Sequence, residues 1–132
     1  MTNWKSYGGK PHNKYGAKST VVDGVRFDSA KEARRWQQLR LLEKAGAIRD
    51  LQRQVEFELI PAQFEPPKTL KNGRKVRGRC IERKASYFAD FAYVRNDTGE
   101  YIVEDAKGMR TDVYKLKKKM VLYKYGIQIR EV

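Results

Sequence analysis

Apolar and polar side chains alternate in "QVEFEL": Val55, Phe57 and Leu59 fall on one side and Glu56 and Glu58 on the other, the period-two pattern of a half-exposed strand that Pro61 ends. Two later stretches, "ASYFADFAYV" and "EYIVEDAK", are apolar on both sides and predict central strands of a covered sheet. "RNDTG" joins them as a short loop. Upstream, "TVVDGVRF" predicts a hairpin turning at Asp23-Gly24. Ser29-x-x-Glu32 matches a capping box and opens a helix of about four turns that Gly46 stops. A second helix is predicted from Thr111 to about Tyr125, with Val113, Leu116, Met120 and Tyr123 as its packing stripe and Lys115, Lys118 and Lys119 opposite. Gly126 stops it, and "IQIREV" supplies a last strand with Ile127 and Ile129 inward. Helix, strands, helix, strand is the order of an α/β (α+β) domain with a central mixed β-sheet flanked by helices.

Two segments fall outside this pattern, and both are basic. Residues 1–18 carry Lys5, Lys10, Lys14 and Lys18 with no acidic residue and read as a flexible arm before a single domain over 19–132. Residues 61–84 carry eight basic and two acidic residues around a turn at Asn72-Gly73, and predict a hairpin or flap inserted between strands. Lys68, Lys71, Arg74, Lys75, Arg77 and Arg79 would line it. The whole chain has a net charge of +13, so a polyanion is the expected partner, with nucleic acid first. Cys80 and His12 each stand alone, which excludes an internal disulfide and argues against a Cys/His zinc site. With no long apolar run and no signal-peptide pattern, a cytoplasmic location without a membrane role is expected.

The end of "YIVEDAKG" breaks the strand pattern with charge. Strand periodicity sets Asp105 and Lys107 on one face and Glu104 on the other. If "NDTG" is a four-residue loop, Arg95 faces Glu100 and the same register sets Asp90 opposite Asp105. A three-residue loop with Gly99 in a bulge would shift that register by one. Two facing carboxylates repel unless a cation neutralises them, and a hard dication with oxygen ligands, Mg²⁺ with Mn²⁺ as substitute, fits such a pair. Lys107 would then either orient the attacking water or stabilise charge developing on a phosphate. The plainer alternative makes both aspartates strand-edge charges paired with Lys or Arg.

Asp90, fourteen intervening residues and then Asp105-Ala106-Lys107 resemble the PD-(D/E)XK nuclease signature, with "FADF" in place of its Pro-Asp step and "EDAK" as its (D/E)-x-K element. Together with "NKYGAKS", "DGVRFDSAKEARRWQQLRLLEKAGAI", "LQRQVEFELIPA" and "VEDAKGMRTDVYKLKKKM", they look like a small phage-encoded branch of that superfamily that resembles Holliday junction resolvases. The resemblance runs from Asn13 to the C-terminus, and the basic 61–84 insertion is its least typical part. It implies a restriction-endonuclease-like core. It also implies Glu32, Asp90, Asp105 and the Ala106 carbonyl as metal ligands, and Glu32, Asp90, Asp105 and Lys107 as the catalytic set.

Glu32 is either Ser29's capping partner or a ligand; its place between Trp36 and Leu39 on an apolar sector favours the ligand. Gln54 is either an ordinary strand residue or an auxiliary that positions phosphate or water. Glu104 is expected to pair with a basic residue. Lys115, Lys118 and Lys119 are either a solvated helix face or phosphate contacts, and Trp4, Tyr7 and Tyr15 would stack on unpaired bases.

The expected activity is Mg²⁺-dependent DNA endonuclease cleavage of Holliday junctions or other branched DNA, with no small-molecule cofactor. A homodimer is implied, because paired nicks need two sites. The alternatives are a phage nicking or trimming nuclease and a non-catalytic DNA-binding protein on the same fold.

Overall fold

A computed structural model of the chain describes residues 19–107 and 109–132; the basic arm with Lys14, and the aromatic residues proposed for it, lie outside the described residues. Strands β1 (Thr20–Val22) and β2 (Val25–Phe27) form the expected hairpin, with Val22 paired to Val25. Both turn residues are left-handed, Asp23 at φ 50° and Gly24 at φ 76°, the conformation that a tight two-residue hairpin requires. Helix α1 (Ala30–Lys44) starts at Ser29, whose hydroxyl accepts the Glu32 N–H at 3.1 Å.

Strand β3 (Ile48–Ile60) leads into the flap, where β4 (Gln63–Phe64) pairs with β7 (Cys80–Glu82) and β5 (Lys68–Thr69) with β6 (Lys75–Val76). The flap is therefore a ladder of two short ribbons with a turn at its tip, and all six of its predicted cationic contacts are exposed. Gly78 is needed for its close packing: a β-carbon there would lie 2.0 Å from the Glu65 carbonyl oxygen.

The chain then returns through β8 (Ala85–Arg95), β9 (Tyr101–Asp105), α2 (Asp112–Tyr125) and β10 (Arg130–Glu131). The central sheet has the order β10-β9-β8-β3; β3, β8 and β9 are an antiparallel meander, and β10 runs parallel to β9 after the α2 crossover. This is an α+β domain with a mixed central sheet. The longer loop holds: Arg95 N–H donates to Glu100 O, and Phe91 pairs with Glu104, so Asp90 is level with Asp105 at the next rung.

Two apolar clusters cover the two faces. Ala33 and Leu39 of α1 pack with Phe27, Ile48, Phe91, Tyr93 and Ile102 on one; Tyr114 and Val121 of α2 pack with Phe57, Leu59, Tyr87, Ala89, Val103 and Ile129 on the other. Of the stripe expected to pack α2, Met120 alone does so; Val113, Leu116 and Tyr123 are exposed, and the inner face is Tyr114, Lys117, Lys118, Met120 and Val121. The stems of Lys117 and Lys118 are half-buried there while their heads find acceptors, Lys117 on Ser86 O at 2.8 Å and Lys118 on Glu131 at 2.5 Å; the exposed Lys124 donates to Glu58 O at 2.9 Å.

Candidate functional site

Strand alternation skips a beat at the middle of the sheet. Arg53 lies against Phe27 on the α1 side, yet Val55 packs on the α2 side; Phe91 and Ala89 divide in the same way. Between them stand Gln54 and Asp90, opposite each other in the β3–β8 register. Gln54 takes φ 49°, a left-handed conformation that costs a residue with a β-carbon roughly 1–2 kcal/mol. The distortion turns two polar side chains toward the place where β8 and β9 part. Strained backbone of this kind is concentrated at functional sites.

At the fork, Asp90 takes over the role of the next ladder carbonyl: its Oδ2 accepts the Ala106 N–H at 2.8 Å. Its Oδ1 accepts from Gln54 Nε2 at 3.3 Å, and the same amide donates to Glu32 Oε1 at 3.4 Å. Glu32 is buried and faces the sheet, with the Asp28 backbone as a further hydrogen-bond donor to its carboxylate. Burial, then the charges of Asp90 and Asp28, push its carboxyl up to about 7 despite Arg53, whose Nη2 is 4.0 Å away.

Asp105 is fully buried, and neither of its oxygens has a hydrogen-bond donor. Its one charged neighbour in contact is Lys107, with Nζ 3.4 Å from Oδ1, an ion pair longer than a good hydrogen bond. Burial pushes Asp105 up to about 6, opposed by Lys107. Burial also raises Asp90, opposed by the Ala106 N–H and then by the Lys107 charge, so the ammonium acts on both aspartates. Asp105 and Lys107 share surroundings as the two-residue spacing predicts. Glu104 points away to the α1 side, where Arg35 donates to it at 2.6 and 2.8 Å and Tyr93 at 2.5 Å.

Asp90 and Asp105 are level, and their carboxylates have different partners. Asp90 turns along the sheet toward Ala106, Gln54 and Glu32, whereas Asp105 lies on the α2 side beside its parallel neighbour Glu131. Among the described residues, no three Asp, Glu, His or Cys side chains are close enough to hold one ion between them.

The basic residues divide as well. Lys115 and Lys119 are exposed, while Lys118 is half-buried and engaged with Glu131, which also accepts from Arg110 at 2.6 Å. These four cations border a cavity of about 370 Å³ between α2 and the end of the chain. Tyr114, Glu131 and Arg53 were not identified from the sequence. Tyr114 is buried, with its ring 4.6 Å from Lys107 Nζ. Its i, i+7 spacing to Val121 was the available signal, masked by the lysines between them.

The chain belongs to the family described as "Protein of unknown function (DUF1064)", which it matches over residues 12–131. Neither a curated protein nor a solved structure matches it.

Proposed function

We propose that this protein is a divalent-metal-dependent endonuclease that hydrolyses phosphodiester bonds in DNA, choosing branched substrates such as Holliday junctions and acting as a homodimer. The observation that carries the reading is Asp105. A buried carboxylate without hydrogen-bond donors is costly unless a cation compensates it, and Lys107 at 3.4 Å does so only in part. The donor chemistry fits Mg²⁺ or Mn²⁺, which need only one or two protein carboxylates beside water and phosphate: Asp105, the Ala106 carbonyl and Asp90 are hard oxygen donors at the fork, and Glu32 is linked to Asp90 through Gln54. When bound, such an ion supplies Lewis acidity toward water and a phosphate oxygen at neutral pH.

The remaining work falls to the chain itself. Lys107 offers its ammonium to the phosphate oxygen on which negative charge grows. Gln54 holds the Glu32 and Asp90 oxygens toward each other through one amide group. Glu32, with its carboxyl near 7, can hold or release a proton at Oε1 close to neutral pH. The element order α1-β3-β8-β9-α2-β10 supports a restriction-endonuclease-like core. Exposed cations on the flap, together with Lys115 and Lys119, supply contacts to the DNA backbone that are independent of base sequence.

The test is incubation with four-way junctions, flaps, nicked duplex and linear duplex, with and without Mg²⁺. Paired, Mg²⁺-dependent nicks in the junction are expected. Equal cutting of linear duplex would favour a nicking or trimming enzyme, and binding without cutting of any substrate would leave a DNA-binding protein.

A further inference from the structure

The chain has five phenylalanines, and four are used inside the fold. Phe27 and Phe91 flank Trp36, with ring centroids 6.1 and 6.0 Å away. Phe57 meets Tyr125 edge-on at 5.4 Å, and Phe64 lies 3.7 Å beneath the Arg77 guanidinium. Phe88 has neither kind of partner among the described residues and is 53% exposed.

Single exposed apolar residues are ordinary on protein surfaces, so position has to decide whether this one matters. Phe88 is on β8, two residues before Asp90, a separation of about 6.6 Å along a strand. Tyr87 and Ala89 on either side belong to the α2-side cluster, so Phe88 projects to the other face, the one from which Glu32 approaches. Its cross-strand partner Glu56 leaves the ring open, because its carboxylate is drawn to Lys84 at 2.6 Å and the Ser86 hydroxyl at 2.9 Å. The strand itself begins at the foot of the basic flap, directly after Arg83 and Lys84, so a polyanion tracking the flap toward the fork passes this ring.

We propose that Phe88 stacks on an unpaired nucleobase beside the phosphate at the fork, so that the protein prefers DNA in which a base next to the scissile bond has lost its complement. The inference rests on the nuclease reading and deepens it by naming the structural feature recognised. Charge along the flap brings the strand in without regard to pairing, whereas an open aromatic face rewards only a base free to leave its stack.

Binding measured in EDTA tests this without cleavage. The probes are a single-stranded oligonucleotide carrying 2-aminopurine and the fully paired duplex of the same sequence, with wild type, Phe88→Ala, Phe88→Leu and Phe88→Trp. Ala and Leu should weaken single-strand affinity roughly tenfold and leave duplex affinity unchanged, and Trp should restore it. Quenching of 2-aminopurine should accompany binding by wild type and the Trp variant alone. Leu binding as tightly as wild type, or equal losses on both probes, would overturn the stacking role. If wild type bound and cut DNA with Phe88 irrelevant, stacking alone would fail; if wild type bound neither probe, the nuclease reading would fall with it.

Discussion

Replacing Glu32 with glutamine should change how stability depends on pH, in a direction opposite to that of most carboxylates. Its carboxyl is moved from 4.5 to about 7, chiefly by burial. Between those values the folded chain keeps a proton that the unfolded chain has released, so native-state stability falls as pH rises through the window. At about 1.4 kcal/mol per pKa unit, the loss over the whole window is about 3.5 kcal/mol, of which about 2.5 kcal/mol falls between pH 5 and pH 8. Asp105, moved up to about 6, acts in the same direction but is present in both proteins and cancels in the comparison. Glu56, Asp97 and Glu131 are shifted downward and lose their contribution only in more acidic solution. Urea unfolding in EDTA, followed by tryptophan fluorescence at pH 5 and pH 8, should find Glu32→Gln close to wild type at the lower pH. At the higher pH the variant should be more stable by about 2–3 kcal/mol, a midpoint shift of roughly 1–2 M urea. An equal difference between the two proteins at both pH values would refute the assignment of Glu32 as a buried acid held neutral.

Other consequences follow from neighbouring features. Glu104→Ala leaves the Arg35 guanidinium without its bidentate partner and should cost about 3–5 kcal/mol in urea unfolding. The triple replacement Arg35→Met, Tyr93→Phe, Glu104→Leu should recover most of that loss, because no buried polar group is then stranded. Gly78→Ala drives a β-carbon onto the Glu65 carbonyl, so limited proteolysis should cut the flap faster while the central sheet keeps its unfolding midpoint. Substituting Lys71, Arg74 and Lys75 with alanine should lower the slope of log K against log salt for duplex DNA by up to about 3, as lost phosphate contacts require.

Much of the fold was legible because local chemistry decided it. Asp23-Gly24 and the Ser29 cap each determine a turn or a helix start without help from distant residues, whereas the loop before Glu100 allowed two registers and the structure takes the four-residue one. The packed face of α2 was not legible, since Lys117 and Lys118 bury their stems where the pattern asked for apolar side chains. In the candidate site, the four-residue alternative for that loop predicted that Asp90 and Asp105 are level, and periodicity predicted that Asp105 keeps company with Lys107. The left-handed turn of Gln54 and the switch of faces at Asp90 divide β3 and β8 between two cores, and no residue type at those positions announces it.

Single-turnover cleavage of a preferred branched DNA by wild type and Asp105→Asn, at saturating protein with Mg²⁺ present, tests the central claim most directly. Wild type should cut, and the variant should bind the same DNA at least as tightly yet cut it about a thousandfold more slowly. Cleavage by Asp105→Asn at the wild-type rate would remove Asp105, and the cation it is proposed to hold, from the chemistry.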